Sequence, residues 1–101
     1  MSSGFVGIAC IDVRLPGGAT LKDRRSVLAH LRRGLTERFG AAVAEVGDLD
    51  TPWHGQLTAA LVRQTQTECA ERLQALEAWA AEQPDAVEVR QLRIITPEAL
   101  A

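Results

Sequence analysis

The chain has no tyrosine, one methionine, two cysteines, two histidines and four aromatic side chains, Phe5, Phe39, Trp53 and Trp79. Each scarcity excludes something. Two cysteines, Cys10 and Cys69, are too few for a disulfide framework and lack metal-ligand spacing. Both sit in apolar patterns and read as free thiols of a reducing compartment. With only His30 and His54 available, a metal centre is not expected. No apolar run approaches the roughly 18 residues of a membrane span, so no membrane partner is expected. The start, Met1-Ser2-Ser3-Gly4, lacks the basic opening of a signal peptide, and a cytoplasmic location is the expectation. There is no GxxxxGK[ST] phosphate loop and no Ser-His-Asp or Cys-His grouping at useful spacing. No catalytic residue and no cofactor is assigned, and the chain reads as a non-enzyme.

What remains is ordinary globular chemistry: 101 residues, 47% hydrophobic and 24% charged. That length allows one domain over 1–101, with a core over about 5–95 and a frayed tail from 96. Phe5 to Leu15 alternates with the period of a strand. Phe5, Gly7, Ala9, Ile11, Val13 and Leu15 share the core side; Val6, Ile8, Cys10, Asp12 and Arg14 share the other. Pro16-Gly17-Gly18 ends it. Thr20 and Asp23 form a capping box, behind which Leu21, Leu28, Leu31, Leu35 and Phe39 make a helical stripe that stops at Gly40. Gly34 inside this helix points to close packing. Ala41 to Val46 and Gln56 to Val62 read as two hairpin strands around a loop from Gly47 to Gly55. Thr65 and Glu68 open a second helix with Cys69, Leu73, Leu76 and Ala80 on one face and Trp79 at its margin, ending near Pro84. Ala86 to Ile95 is a fourth strand.

Strand, helix, strand, strand, helix, strand with right-handed crossovers gives an α+β, ferredoxin-like βαββαβ sandwich. Its four-stranded antiparallel sheet has strands one and three central and both helices on one face. The other face then shows Val6, Ile8, Cys10, Thr58, Ala60 and Val62. So apolar a surface reads as an interface, most simply in a homodimer or other homo-oligomer.

Charge is uneven. The net charge is −2, yet Arg14 to Arg38 carries seven basic and two acidic residues, a net +5 against −7 elsewhere. At 100° per residue, Lys22, Arg25, Arg32 and Arg33 fall on adjoining sides of the first helix. Such a row fits a phosphate backbone, and equally a solvated face balancing the acidic second helix.

Three blocks carry a resemblance: Val13-Arg14-Leu15-Pro16, Leu21-Lys22-Asp23-Arg24-Arg25 and Ala44-Glu45-Val46-Gly47, with Asp50 and Trp53 following. Over about residues 5 to 95 the chain resembles the YlxP-like proteins, an uncharacterised bacterial family (domain of unknown function family 503). The resemblance implies a ferredoxin-like fold. It also implies a link to RNA or the ribosomal subunits, because the family's genes often lie beside those for translation initiation and ribosome maturation. Thr51-Pro52 before Trp53 departs from the family pattern.

Other candidates weigh less. The glycine turn before the first helix offers amides to an anion, though it lacks the signature loop of acylphosphatases. Asp48, Asp50, Trp53 and His54 form a loop cluster able to stack a base, or simply to anchor the loop. Glu45, a carboxylate in an apolar strand, needs a cation, and Arg24 or Arg25 is in position to be a structural partner.

Overall fold

The computed structural model describes residues 3–47 and 50–100. The elements are β1 (Phe5–Arg14), α1 (Leu21–Phe39), β2 (Ala42–Val46), β3 (His54–Arg63), α2 (Gln66–Ala81) and β4 (Ala86–Ile95), followed by a 3-10 turn, Pro97–Leu100. The sheet order is β2-β3-β1-β4 and every pairing is antiparallel. This is the expected ferredoxin-like sandwich, with β1 and β3 central.

Alternation decides which side of the sheet is dry. Ala9, Ile11 and Val13 of β1 and Leu57, Ala59 and Leu61 of β3 are buried under the helices. They meet Leu28, Leu31, Leu35 and Phe39 of α1 and Cys69, Leu73, Leu76 and Ala80 of α2. Side chains of this size each contribute about 1.5–3 kcal/mol on burial. Glycine makes room where helices press closest. A Cβ on Gly7 would stand 2.9 Å from Cys69 Sγ, and one on Gly55 2.9 Å from Leu28 Cδ1. Gly34 faces Trp79, whose Cζ2 would be 2.3 Å from an added Cβ. This is the close packing expected of a glycine inside a helix. Trp79 then meets Phe39 edge-on, with centroids 6.0 Å apart.

The helix starts follow their caps. Thr20 Oγ1 accepts from Asp23 N–H, while Asp23 Oδ2 accepts from Thr20 N–H. At α2, Thr65 Oγ1 accepts from Glu68 N–H. Gly40, at φ 61°, takes the left-handed cap that ends α1. Cations complete this end: Arg63 Nη2 donates to the Phe39 carbonyl at 2.9 Å, and Arg72 Nη2 donates to the Arg38 carbonyl at 3.4 Å. Both satisfy carbonyls that a helix terminus leaves open, at its negative pole.

Two sequence expectations need correction. Leu21 is 42% exposed and not in the buried stripe; that helix face instead begins with Arg24, at 3%. The loop is also shorter than expected, because β3 begins at His54. Its pairing with Arg14 and the bond from Leu15 N–H to the Trp53 carbonyl carry the ladder two residues further.

Candidate nucleic-acid interface

The first turns of α1 place one arginine in the interior and its neighbours outside. Arg24 lies on the buried side. Its Nη2 donates to Glu45 Oε1 of β2 at 2.5 Å, and its Nε donates to the His54 carbonyl of β3 at 3.0 Å. A single guanidinium thus ties α1 to both strands of the hairpin, and Glu45 finds the cation that its apolar setting requires.

Lys22, Arg25, Arg32 and Arg33 are all exposed on the outer side of α1. A rise of 1.5 Å per residue puts Arg25 and Arg32 about 10 Å apart along the axis, and Lys22 and Arg33 about 16 Å apart. Arg25 and Arg32 flank a shallow cleft of about 160 Å³ above Leu28, Ala29 and Glu45. Ion pairs join Arg24 to Glu45 and Arg90 to Asp12, and the His54 ring lies 3.8 Å from Asp12; none of these contacts engages the outer row. The contrast with Arg24, Arg63 and Arg72 is physical. Those three arginines are occupied by a carboxylate or by carbonyls, whereas the outer row meets solvent.

The described members of the loop cluster sit in different settings. Asp48 lies outside the described residues. Trp53 is 59% exposed in the turn ahead of β3. His54 is not a loop residue: it sits in β3, with Nε2 3.8 Å from Asp12 Oδ1. Gln56 Nε2 donates to the same Asp12 oxygen at 3.0 Å, and Arg90 Nε lies 3.8 Å from Asp12 Oδ2. This polar group on the open face joins β3, β1 and β4. Sequence reading missed it because its members are spread over three strands; the signal available was Asp12 among the apolar residues of a central strand.

The glycine turn offers little to an anion. The Asp23 carboxylate accepts from the Thr20 amide and the Thr20 hydroxyl from the Asp23 amide, so two of the N–H groups at this end are already used. The Thr20 backbone N–H, then its hydroxyl, hold that carboxyl below its ordinary value of 3.8. Among the described residues no group of three or more His, Cys, Asp or Glu could hold a metal ion, and no helix is long and apolar enough to cross a membrane.

Val6, Ile8, Cys10 and Ala60 are half-buried on the open face of the sheet, and Val62 is 63% exposed. The two cysteines are free, Cys10 on this face and Cys69 in the core.

Two solved structures share the fold at low identity. A periplasmic domain of SecDF, P4, matches with a TM-score of 0.54 at 14% identity, over 94% of this chain and 91% of that one. The 30S ribosomal protein S6 of Thermotoga maritima matches with a TM-score of 0.51 at 10% identity, over 97% of this chain and 92% of that one. No curated protein matches the sequence at a significant level. The model of one family spans residues 6–94, nearly the whole sandwich, and the chain therefore belongs to the family described as Protein of unknown function (DUF503).

Proposed function

We propose that this protein is a non-enzymatic module that associates with RNA or a ribosomal subunit in the bacterial cytoplasm, through Lys22, Arg25, Arg32 and Arg33 on the outer face of α1. One observation carries the reading: four cations stand along one side of a helix and none of them forms a salt bridge among the described residues, in a chain whose net charge is −2. The YlxP-like resemblance, with its translation-related gene neighbourhood, supports it by association. The likeness to a 30S ribosomal protein is compatible with it, but the same fold occurs in a periplasmic domain, so the fold does not select the function. Trp53, exposed in the turn ahead of β3, and His54 at its start are secondary contacts in this reading.

The test is co-sedimentation with ribosomal subunits, comparing the wild type with the triple variant R25E/R32E/R33E. Four phosphate contacts to single-stranded RNA give a log–log salt slope of about −3, so affinity should fall about 50-fold between 50 and 200 mM salt. The triple variant should lose association. Retained affinity in the variant would remove α1 from the interface.

A second reading rests on the open sheet face. Val6, Ile8, Cys10, Ala60 and Val62 form an apolar surface that suits self-association. Association through that face would be nearly insensitive to salt.

A further inference from the structure

Among the described residues, the last strand of the sheet, β4, has a neighbour on one side only. It pairs with β1 over its length, and as the outermost strand in the order β2-β3-β1-β4 it presents its other edge unpaired. Ten residues is long for an edge, and unpaired backbone groups along it are a template for another strand. Such edges are often blunted by a bulge, and β4 has one: the register shifts between Cys10 and Ile11, leaving Arg90 as the extra residue.

Here the bulge has a second effect. In an unbulged strand, Val87 and Val89 would face the opposite side from Leu92 and Ile94. With Arg90 inserted, Val87 and Val89 pair with Val13 and Ile11, while Leu92 and Ile94 pair with Ala9 and Gly7. All four therefore lie on the helix side. Glu88 and Arg93 pair with Asp12 and Ile8, which puts both on the open side.

We propose that β4 pairs antiparallel with β4 of a second copy of this chain, about a two-fold axis between Arg90 and Gln91. That register sets Val89 opposite the partner's Leu92, Val87 opposite the partner's Ile94, and Glu88 opposite the partner's Arg93. The same contacts repeat across the axis. Face, polarity and charge agree at each of these positions, and they do so because the bulge is present. Displacing the register by one residue in either direction brings a helix-side residue opposite an open-side one at the centre, and loses the match. Glu88 and Arg93 are exposed and have no ion pair among the described residues, so each is available to its opposite number.

A cleft supplies the second observation. Ala70, Leu73, Gln74, Leu92, Arg93 and Ile94 line an open, largely apolar hollow of about 320 Å³ between α2 and the β4 edge. In the proposed register the partner's Val87 and Val89 lie against Ile94 and Leu92, beside this hollow. The axis is perpendicular to the sheet, so the dimer is a continuous eight-stranded sheet with all four helices on one side. The two α1 helices lie over the outer strands, about six strand spacings or ~29 Å apart. Pairing along this edge depends on neither the basic row of α1 nor the open sheet face.

The experiment is light scattering of the wild type and of E88R, R93E and E88R/R93E at tens of micromolar, with circular dichroism to confirm folding. The wild type should weigh twice the 10.9 kDa of one chain. Each single reversal places like charges opposite each other at two symmetric positions and should weaken association at least tenfold; the double swap should restore it. A wild-type monomer would overturn the proposal. So would a dimer indifferent to both single reversals, a double variant that stays monomeric, or a dimer broken only by Val62→Glu on the open face.

Discussion

Replacing Glu45 by alanine removes the counter-charge of a guanidinium that is 3% exposed. Arg24 keeps the His54 carbonyl as a hydrogen-bond partner but loses the Glu45 carboxylate that its Nη2 meets at 2.5 Å. Breaking a fully buried pair in this way costs about 3–5 kcal/mol. Glu45's side chain is 26% exposed, so water reaches part of the site and the cost comes down to about 2–3 kcal/mol. For a domain of this size that corresponds to a melting temperature lower by about 10–20 °C. The opposite truncation, Arg24→Met, leaves the better hydrated partner alone and fills the space with apolar atoms; about 1 kcal/mol is expected. Replacing both partners, in R24M/E45L, should return stability to within about 1 kcal/mol of wild type. Urea titrations followed by circular dichroism give all three values. An E45A variant that costs less than R24M would refute the deeper burial of Arg24 as the source of this asymmetry.

Three further outcomes follow from the packing and the caps. Gly34→Ala gains about 1 kcal/mol of helix propensity but sets a methyl group against the Trp79 ring, an overpacking cost of about 1–3 kcal/mol; net destabilisation in a urea titration is expected, and a stabilised G34A would contradict the contact. Asp23's carboxyl titrates below its ordinary value in the folded protein, so its stabilising contribution is complete above 3.8 and is lost as pH falls through the lower folded value. D23N should lack that component and lose less stability between neutral and acid pH than the wild type does, as measured by thermal melts across pH. Burial pushes the Cys69 thiol up and shields it, while Cys10 is half-exposed on the open face; a thiol reagent should therefore modify one cysteine quickly and the other only on unfolding, and C10S should abolish the fast phase.

Much of this architecture can be read from the residues because local rules and tertiary packing agree. The odd positions of β1, the Thr20–Asp23 box, Gly40 as a stop, and the Cys69, Leu73, Leu76, Ala80 face all specify one outcome, and the fold follows. The departures arise where a residue's role depends on a distant partner. Leu21 has helical spacing but lies exposed, and Arg24 fills a buried position that hydropathy alone would give to a leucine. His54 resembles a loop residue until Arg14 is known to lie opposite it. The Asp12 cluster draws from β1, β3 and β4, so no single stretch of sequence displays it. For the outer row of α1, spacing alone gave both alignment and exposure; what it left open was whether carboxylates of the folded chain would claim those charges.

Gly7 and Gly55 sit near opposite ends of the central strand pair, one opposite Leu61 and the other opposite Val13. Each is a notch: Cys69 and Leu73 of α2 enter the first, Leu28 of α1 the second. The helical layer is therefore keyed to the sheet at two diagonal corners, and each helix owes its height and tilt to a side chain that is missing beneath it. A methyl group at position 55 would meet the Leu28 methyls at 2.9–3.0 Å, so either that side chain or the helix carrying it must yield. The seat of α1 thus depends on an absence in β3.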